Sequence, residues 1–175
     1  VNGSTISGNS ASGYGGGIYN NSDTLTVNAS TISDNSASGN SAGTYGGGIS
    51  SHTYSTLSVT GSTISDNSAD YGGGIYSDSG TLIVTNATIS ANLANDEGGG
   101  IYSAGTLSVS KSTISGNSAN DKGGGIYDSG TLSVTNSIIS SNSTYDGGGI
   151  YSPFGTLSII NSTITDNLAN QDGGG

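Results

Sequence analysis

The sequence predicts an all-β fold, a right-handed parallel β-helix (β-solenoid) of three sheets with about seven coils of ~25 residues. Three observations predict it. In seven successive repeats an isoleucine is followed three residues later by an asparagine, and the isoleucines of this series lie 26, 32, 25, 25, 25 and 25 residues apart. A period of this size is typical of coils that stack along one axis. Each coil also contains short segments in which apolar and polar residues alternate, and no stretch shows a helical period.

Three segments recur along the chain and are predicted to be strands: GGGIY, TLSV and STIS. In TLSV a leucine and a valine stand two residues apart, as at Leu82 and Val84, so both point to the same inner face. The distance from this leucine to the isoleucine of STIS is 7 residues in all six complete cases, so that corner admits no insertion. Parallel strands are almost always joined by right-handed connections, which predicts the hand of the coil.

The composition would by itself suggest a disordered chain, because 32 of the 175 residues are glycine and the formal charge is −10. The period overturns that interpretation. One coil buries too few apolar side chains to offset its backbone entropy, so only the stacked array is stable. We therefore treat residues 1–175 as one repeat array. Since Val1 and Gly175 both fall inside a coil, we expect a window of a longer array or a filament of stacked chains.

An asparagine occupies the same place in all seven coils, and we interpret it as a structural ladder. Side-chain amides stacked at ~4.8 Å can hydrogen-bond along the axis, and asparagine tolerates the left-handed backbone conformation of a tight bend. A row of ligand groups is the functional alternative, although an amide is a poor catalyst. The ladder consists of Asn9, Asn35, Asn67, Asn92, Asn117, Asn142 and Asn167.

Each GGxI segment is paired with a segment in which an aromatic or aliphatic residue stands three residues before an asparagine. This pairing resembles the repeat of the chlamydial polymorphic outer-membrane proteins. The matching residues are 15–18 (GGGI) with 6–9 (ISGN), and their copies cover essentially the whole chain. The resemblance implies the β-helical passenger domain of an autotransporter adhesin, located outside the cell or on its surface. Two features depart from that family: isoleucine stands where phenylalanine is usual, and the chain has no cysteine.

Residues suited to catalysis are scarce, so we expect no enzymatic activity and no cofactor. The chain has only two basic residues, both lysines, and one histidine, His52. β-Helical pectate lyases need a basic residue to abstract a proton, and β-helical polygalacturonases use clustered aspartates with a histidine nearby. His52 falls in a corner of variable length, where we expect a solvated side chain. With a pI near 4.1, nucleic acid is a poor partner, and no apolar stretch predicts membrane insertion.

Aspartates stand just before the GGG of five coils and are predicted to form an outward acidic column. Calcium prefers oxygen ligands of this kind, so a calcium ladder is the alternative to a solvated acidic edge. We expect no metal requirement, because each coil offers too few carboxylates for a dedicated site. The residues are Asp70, Asp96, Asp121, Asp146 and Asp172.

Outward rows of tyrosine and threonine are candidate binding surfaces. Stacked aromatic rings can bind sugars, pack against a neighbouring fibre, or form a self-stacked ladder that simply covers the sheet. T-x-S rows resemble the T-x-T ladders of β-helical ice-binding proteins, although strand propensity alone produces such spacing. The tyrosines are Tyr19, Tyr76, Tyr102, Tyr127 and Tyr151. The threonine rows include Thr5/Ser7, Thr31/Ser33, Thr63/Ser65, Thr88/Ser90 and Thr113/Ser115.

The sequence as a whole predicts a non-catalytic extracellular protein that forms the stalk or filament of a microbial surface fibre or adhesin. A carbohydrate- or ice-binding module is the alternative. The expected partners are further coils of the same kind, and glycans or the surface of a host or other cell. Six sequons also permit N-glycosylation, at Asn2, Asn20, Asn28, Asn86, Asn142 and Asn161.

Overall fold

The computed structural model describes residues 1–21, 23–39 and 43–175 of the chain. That part is built of 26 short strands joined by turns. Strands pair in parallel with their copies in the neighbouring coils, which gives a β-solenoid of about 6 turns with ~25 residues per turn. The predicted all-β parallel solenoid is confirmed. No helix in the described ranges is long and apolar enough to cross a membrane.

Two sheets of seven strands follow one another along the chain. The TIS sheet consists of β1 (Thr5–Ser7), β5 (Thr31–Ser33), β9 (Thr63–Ser65), β13 (Thr88–Ser90), β17 (Thr113–Ser115), β21 (Ile138–Ser140) and β25 (Thr163–Thr165). The Ser-Ala sheet consists of β2 (Ser10–Ala11), β6 (Ser36–Ala37), β10 (Ser68–Tyr71), β14 (Leu93–Glu97), β18 (Ser118–Ala119), β22 (Ser143–Thr144) and β26 (Leu168–Ala169).

Two sheets of six strands complete the coil. The GGGI sheet consists of β3 (Ile18–Asn20), β7 (Ile49–Ser51), β11 (Ile75–Ser77), β15 (Ile101–Ser103), β19 (Ile126–Asp128) and β23 (Ile150–Tyr151). The TLSV sheet consists of β4 (Thr24–Asn28), β8 (Ser55–Thr60), β12 (Gly80–Thr85), β16 (Thr106–Ser110), β20 (Thr131–Thr135) and β24 (Thr156–Ile160).

The structure therefore has four sheets, and the prediction of three is wrong. The Ser-Ala sheet was missed because its strands contain two residues in most coils and their inward residue is usually only an alanine. A left-handed residue followed by a ladder asparagine, which is buried in all but the first and last coils, separates each of these strands from the TIS strand before it. In the fifth coil these two residues are Gly116, with φ 65°, and Asn117.

The core consists of columns in which apolar residues of the same type stack from coil to coil. Ile89 pairs with Ile64 on one side and with Ile114 on the other, and all three are fully buried. The leucines and valines of the TLSV sheet and the isoleucines of the GGGI sheet form further columns. Burial of each such side chain stabilises the fold by roughly 1.5–3 kcal/mol, so the columns hold neighbouring coils in register.

Three columns of residues with positive φ turn the chain at three corners of the coil. The column before the asparagines has φ between 55° and 67° and contains Gly8, Asp34, Asp66, Ala91, Gly116, Ser141 and Asp166. The column between the TLSV and TIS strands has φ between 47° and 55° and contains Gly3, Ala29, Gly61, Asn86, Lys111, Asn136 and Asn161. The third contains the first glycine of each GGG, with φ between 59° and 71°. The ladder asparagines themselves do not have positive φ, so the expected left-handed asparagine is wrong; the preceding residue takes that conformation.

Candidate functional site

The seven asparagines lie in one column along the inner bend and are joined by hydrogen bonds. The backbone N–H and the Nδ2 of Asn67 both donate to Oδ1 of Asn92, each at 3.0 Å. Nδ2 of Asn92 donates in turn to Oδ1 of Asn117 at 2.9 Å and to the backbone oxygen of Ile64 at 3.0 Å. The same amide-to-amide contacts occur at every step from Asn9 to Asn167. Each interior amide thus has both donors and its acceptor paired, as a buried polar group requires.

The GGG segments pack directly against this column. A Cβ on Gly100 would lie 2.6 Å from the backbone oxygen of Gly125 and 3.1 Å from Cγ of Asn117 in the next coil. Contacts this short force the backbone to move, so only glycine leaves room for the asparagine. The sequence pairing of GGGI with xxN therefore reflects a physical contact between neighbouring coils.

A second ladder, of serines, was not identified from the sequence. The backbone N–H of Ser112 donates to Oγ of Ser137 at 3.1 Å, and that Oγ donates to the backbone oxygen of Thr135 at 2.8 Å. The column contains Ser4, Ser30, Ser62, Ser112, Ser137 and Ser162, with Ala87 in the remaining place. Each stands two residues before a core isoleucine. Because serine is so frequent in this sequence, the repetition is not distinctive.

The five predicted tyrosines lie on the outer side of the GGGI sheet, and four of them stack ring on ring. The ring centroids of Tyr76 and Tyr102 are 4.9 Å apart, those of Tyr102 and Tyr127 4.7 Å, and those of Tyr127 and Tyr151 5.7 Å. Tyr19 is 48% exposed, but Tyr76 and Tyr127 are only 7% and 9% exposed. Neighbouring rings thus cover one another, which favours a self-stacked ladder over a fully open binding surface.

A second column of rings stands one residue before each of the first three GGG segments. Tyr14, Tyr45 and Tyr71 stack with centroids 5.3 Å apart at both steps. Rings of the two columns contact each other at angles between 33°, for Tyr14 and Tyr19, and 80°, for Tyr71 and Tyr102. We call the combined surface the aromatic wall; it contains Tyr14, Tyr19, Tyr45, His52, Tyr71, Tyr76, Tyr102, Tyr127 and Tyr151.

His52 belongs to the aromatic wall and is not a solvated loop residue, which corrects the prediction. In the second coil Ser50 occupies the place of the ladder tyrosine, and the His52 ring fills the space. Its centroid lies 4.9 Å from that of Tyr14 and 5.1 Å from that of Tyr76, and its side chain is 15% exposed. Nε2 lies 2.8 Å from Oγ of Ser50. Burial lowers the pKa of His52, and the nearby Asp78 carboxylate opposes that shift.

The phenol groups of Tyr71, Tyr76 and Tyr102 have raised pKa values and remain neutral at physiological pH. The hydrogen bond from Tyr71 to Asp96 raises the pKa of Tyr71 to about 12. Burial raises the pKa of Tyr76 and of Tyr102. Because the stacked rings turn their faces to one another, the wall presents mainly ring edges to the solvent.

The five predicted aspartates lie at one corner but in two adjacent columns. Asp70, Asp96 and Asp121 precede the aligned residues Tyr71, Glu97 and Lys122, whereas Asp146 aligns with Lys122 itself and Asp172 follows it in the next coil. Nζ of Lys122 lies 2.8 Å from Oδ2 of Asp121 and 3.2 Å from Oε1 of Glu97. The predicted single acidic column is thus wrong, since a lysine interrupts it. Among the described residues, no three His, Cys, Asp or Glu side chains come together as a metal site.

One buried carboxyl was missed by sequence analysis. Asp128 stands in register with Ser103 on the GGGI sheet, and its residue is fully buried. Oδ2 accepts a hydrogen bond from the backbone N–H of Gly130 at 3.1 Å, while Oδ1 has no partner. Burial raises the pKa of Asp128.

Hydroxyl rows run along the outer faces of the TIS and TLSV sheets. Thr88 aligns with Thr63 and Thr113, and the serines two residues on align in the same way. Ile138, 46% exposed, takes the next place in that threonine row. The structure thus brings the predicted T-x-S pairs together in rows up to the fifth coil.

Four of the six sequon asparagines are exposed and lie at the corner between the TLSV and TIS sheets: Asn2, Asn28, Asn86 and Asn161. Asn20 is half-buried, and Ser22 of its sequon lies outside the described residues. Asn142 is fully buried, and its Nδ2 donates to Ile114 and to Asn167. A glycan on Asn142 would break the ladder, so that predicted glycosylation site is wrong.

The repeat matches the model of a known family in three of its copies. The model of the Chlamydia polymorphic membrane protein (Chlamydia_PMP) repeat matches residues 3–21, 61–78 and 111–129, together about a third of the chain. Each match runs from just before a TIS strand to the end of the following GGGI strand and includes one ladder asparagine with one GGG. Comparisons with curated proteins and with solved structures gave no match. The resemblance seen in the sequence is confirmed: three coils of this solenoid match the Chlamydia polymorphic membrane protein repeat.

Proposed function

We propose that this chain is a non-catalytic rod segment of a protein displayed outside a microbial cell, as part of the stalk or filament of a surface fibre or adhesin. The observation that supports this most is the continuity of the four sheets, whose strand pairing runs through successive coils without a break. The match to the Chlamydia polymorphic membrane protein repeat supports the surface location.

The stiffness of such a rod follows from where its bonds lie. Hydrogen bonds between coils run along the axis in all four sheets and in the asparagine and serine columns. Bending the rod would lengthen these bonds on one side of the cross-section, so each ladder resists it. We propose a right-handed coil, as connections between parallel strands nearly always are.

We also propose that coils of this repeat stack on further coils of the same kind, within a longer array or between chains. Neighbouring coils pair identical residues in one register, as Ile64, Ile89 and Ile114 do. The edge of one coil therefore complements the edge of another. Contacts with glycans or other cells would come from the outward faces.

Two experiments test this proposal. Intact producing cells are treated with a protease that cannot enter them. The segment should be cleaved while a cytoplasmic marker stays intact, and cleavage only after lysis would contradict surface display.

In the second experiment the 175-residue chain is stretched by its ends in a single-molecule instrument. A solenoid should yield coil by coil, with length increments of about 80 Å for ~25 residues. A single large length increment would contradict a rod whose coils unfold one after another.

A further inference from the structure

A polar groove crosses the outer face of the Ser-Ala sheet over strands β18, β22 and β26. Its volume is ≈ 280 Å³, just below the ~300–1,000 Å³ typical of small-molecule sites. Ser118 and Ser143 lie on its floor, and Asn120, Tyr145, Leu168 and Asn170 line it further. None of these residues belongs to the aromatic wall or the asparagine column, so the groove is a separate feature of the surface.

The groove exists because two small residues stand between two large ones in the same outward column. Ser118 pairs with Leu93 in one neighbouring coil and with Ser143 in the other, and Ser143 pairs with Leu168. The leucines are 44% and 60% exposed and project beyond the serines. Oγ of Ser143 donates to Oγ of Ser118 at 3.2 Å, so the floor presents hydroxyl groups with hydrogen-bonding capacity to spare.

Tyr145 supplies a half-exposed aromatic ring. It is 47% exposed, and within the described residues its ring makes no contact with another aromatic ring, unlike the stacked rings of the wall. Asn170 of the next coil donates its backbone N–H to Thr144, beside Tyr145, at 3.1 Å. Exposed amides at Asn120 and Asn170 thus stand in the coils on either side of the ring.

The chemistry of the groove selects one class of ligand. Its lining offers amides, hydroxyls and one half-exposed aromatic ring, together with the apolar Ala119 and Leu168, and it has no charged side chain. The neighbouring Asp121 and Asp146 and the formal charge of −10 repel anions. Ring faces pack against apolar C–H surfaces, while amides and hydroxyls pair with hydroxyl groups. We infer that the groove binds a neutral pyranose sugar, which stacks on Tyr145 and hydrogen-bonds to Ser118, Ser143 and the two asparagines.

This inference goes beyond the structural role, because a rod needs no groove. The test is an NMR titration of the ¹⁵N-labelled 175-residue chain with methyl glycosides of glucose, galactose and N-acetylglucosamine, and with the anionic sugars glucuronic acid and sialic acid. A neutral glycoside should shift the backbone amides of the groove at millimolar concentration. Tyr145→Ala should weaken that binding about tenfold or more. Tyr54→Ala, which removes an 85% exposed ring elsewhere, should leave it unchanged.

A second variant fills the groove without straining the fold. Ser118→Leu places a leucine where β14 and β26 already carry one, so it should fold like the wild type and lose sugar binding. Circular dichroism and the thermal midpoint check its folding. The inference is overturned if no neutral glycoside shifts the groove amides, if both variants bind like the wild type, or if the anionic sugars bind more tightly. None of these outcomes bears on surface display, which the protease experiment tests.

Discussion

The asparagine column and the aromatic wall both run along the solenoid, yet they obey different rules. In the column one residue type fills all seven places, and each amide repeats the contacts of its neighbours. In the wall the ring comes from different sequence positions. Tyr76 follows the core isoleucine of its strand directly, whereas His52 reaches the equivalent space from two residues beyond Ser50.

The difference shows what each kind of contact demands. A hydrogen-bond ladder needs the same donors and acceptors at every step, because any gap leaves buried groups unpaired on both sides. Ring packing needs volume and a flat shape, so another ring can supply it from a nearby position. The column is therefore fixed by the fold, and the wall is free to vary between coils.

The largest expected effect comes from breaking the column. Asn92→Ala removes the acceptor of two hydrogen bonds from Asn67 and the donor to Ile64 and Asn117. We expect a loss of about 3–5 kcal/mol in the free energy of unfolding, measured by urea denaturation. The control is Asn120→Ala, an exposed asparagine, which should cost under about 0.5 kcal/mol. Equal midpoints for the two variants would refute the ladder.

A methyl group on the glycine that faces the column should destabilise the fold somewhat less than Asn92→Ala does. In Gly100→Ala the new Cβ meets the Gly125 oxygen at 2.6 Å, and relieving this contact moves the backbone. We expect a loss of about 2–3 kcal/mol on denaturation. Gly116→Ala is the matched control, because the equivalent residue Ala91 already adopts positive φ; it should cost about 1 kcal/mol. If Gly116→Ala proved the more damaging, the packing explanation of GGG would fail.

Substitutions in the aromatic wall should destabilise the fold less than those in the asparagine column. Tyr102→Ala removes a ring stacked on both sides and should destabilise the chain by about 1–2 kcal/mol. The sharper test moves a ring instead of deleting it. Ser50→Tyr combined with His52→Ala should melt within a few degrees of the wild type, since the ring then enters from the ladder position. A large drop in melting temperature would show that the wall, like the column, depends on residue identity.

The smallest effect concerns pH. Because burial lowers the pKa of His52 below its usual 6.5, the unfolded chain takes up this proton at a higher pH than the folded chain. His52 therefore contributes fully to stability above about pH 6.5. This contribution falls as the pH drops through 6.5 toward the lower pKa that His52 has in the folded chain. His52→Phe keeps a ring and removes the titration. Its melting temperature should fall less than that of the wild type between about pH 7.5 and about pH 5.5. Glu97 and Asp128, whose pKa burial raises, act in the opposite sense and are unchanged in the variant.

The features that sequence predicted are those in which one residue type repeats at a fixed offset. The isoleucine and asparagine spacing gave the coil length and the aligned asparagines, and the Leu-x-Val alternation gave the inward faces of the TLSV strands. The short Ser-Ala strands lacked such a mark, since a two-residue strand shows no alternation. The serine ladder was hidden by the abundance of serine.

The candidate surfaces were less predictable, because they depend on what neighbouring coils place beside a residue. Parity put Tyr76 and Tyr127 on the outer side of their sheet, but it left open whether adjacent rings would stack and cover them or stay free for binding. The position of His52 in the wall follows from Ser50 leaving a gap, which becomes visible only with the coils in register. The groove likewise depends on serines and leucines that are some 25 residues apart in sequence.

Hydrogen exchange of the asparagine side chains tests the central claim most directly. In the ¹⁵N-labelled chain, NMR follows the Nδ2 protons of individual asparagines after transfer to D₂O. Asn67, Asn92 and Asn117 should exchange orders of magnitude more slowly than the exposed Asn120, because their donors are buried and paired. Exchange of the column amides as fast as that of Asn120 would contradict the continuous ladder on which this account of the fold rests.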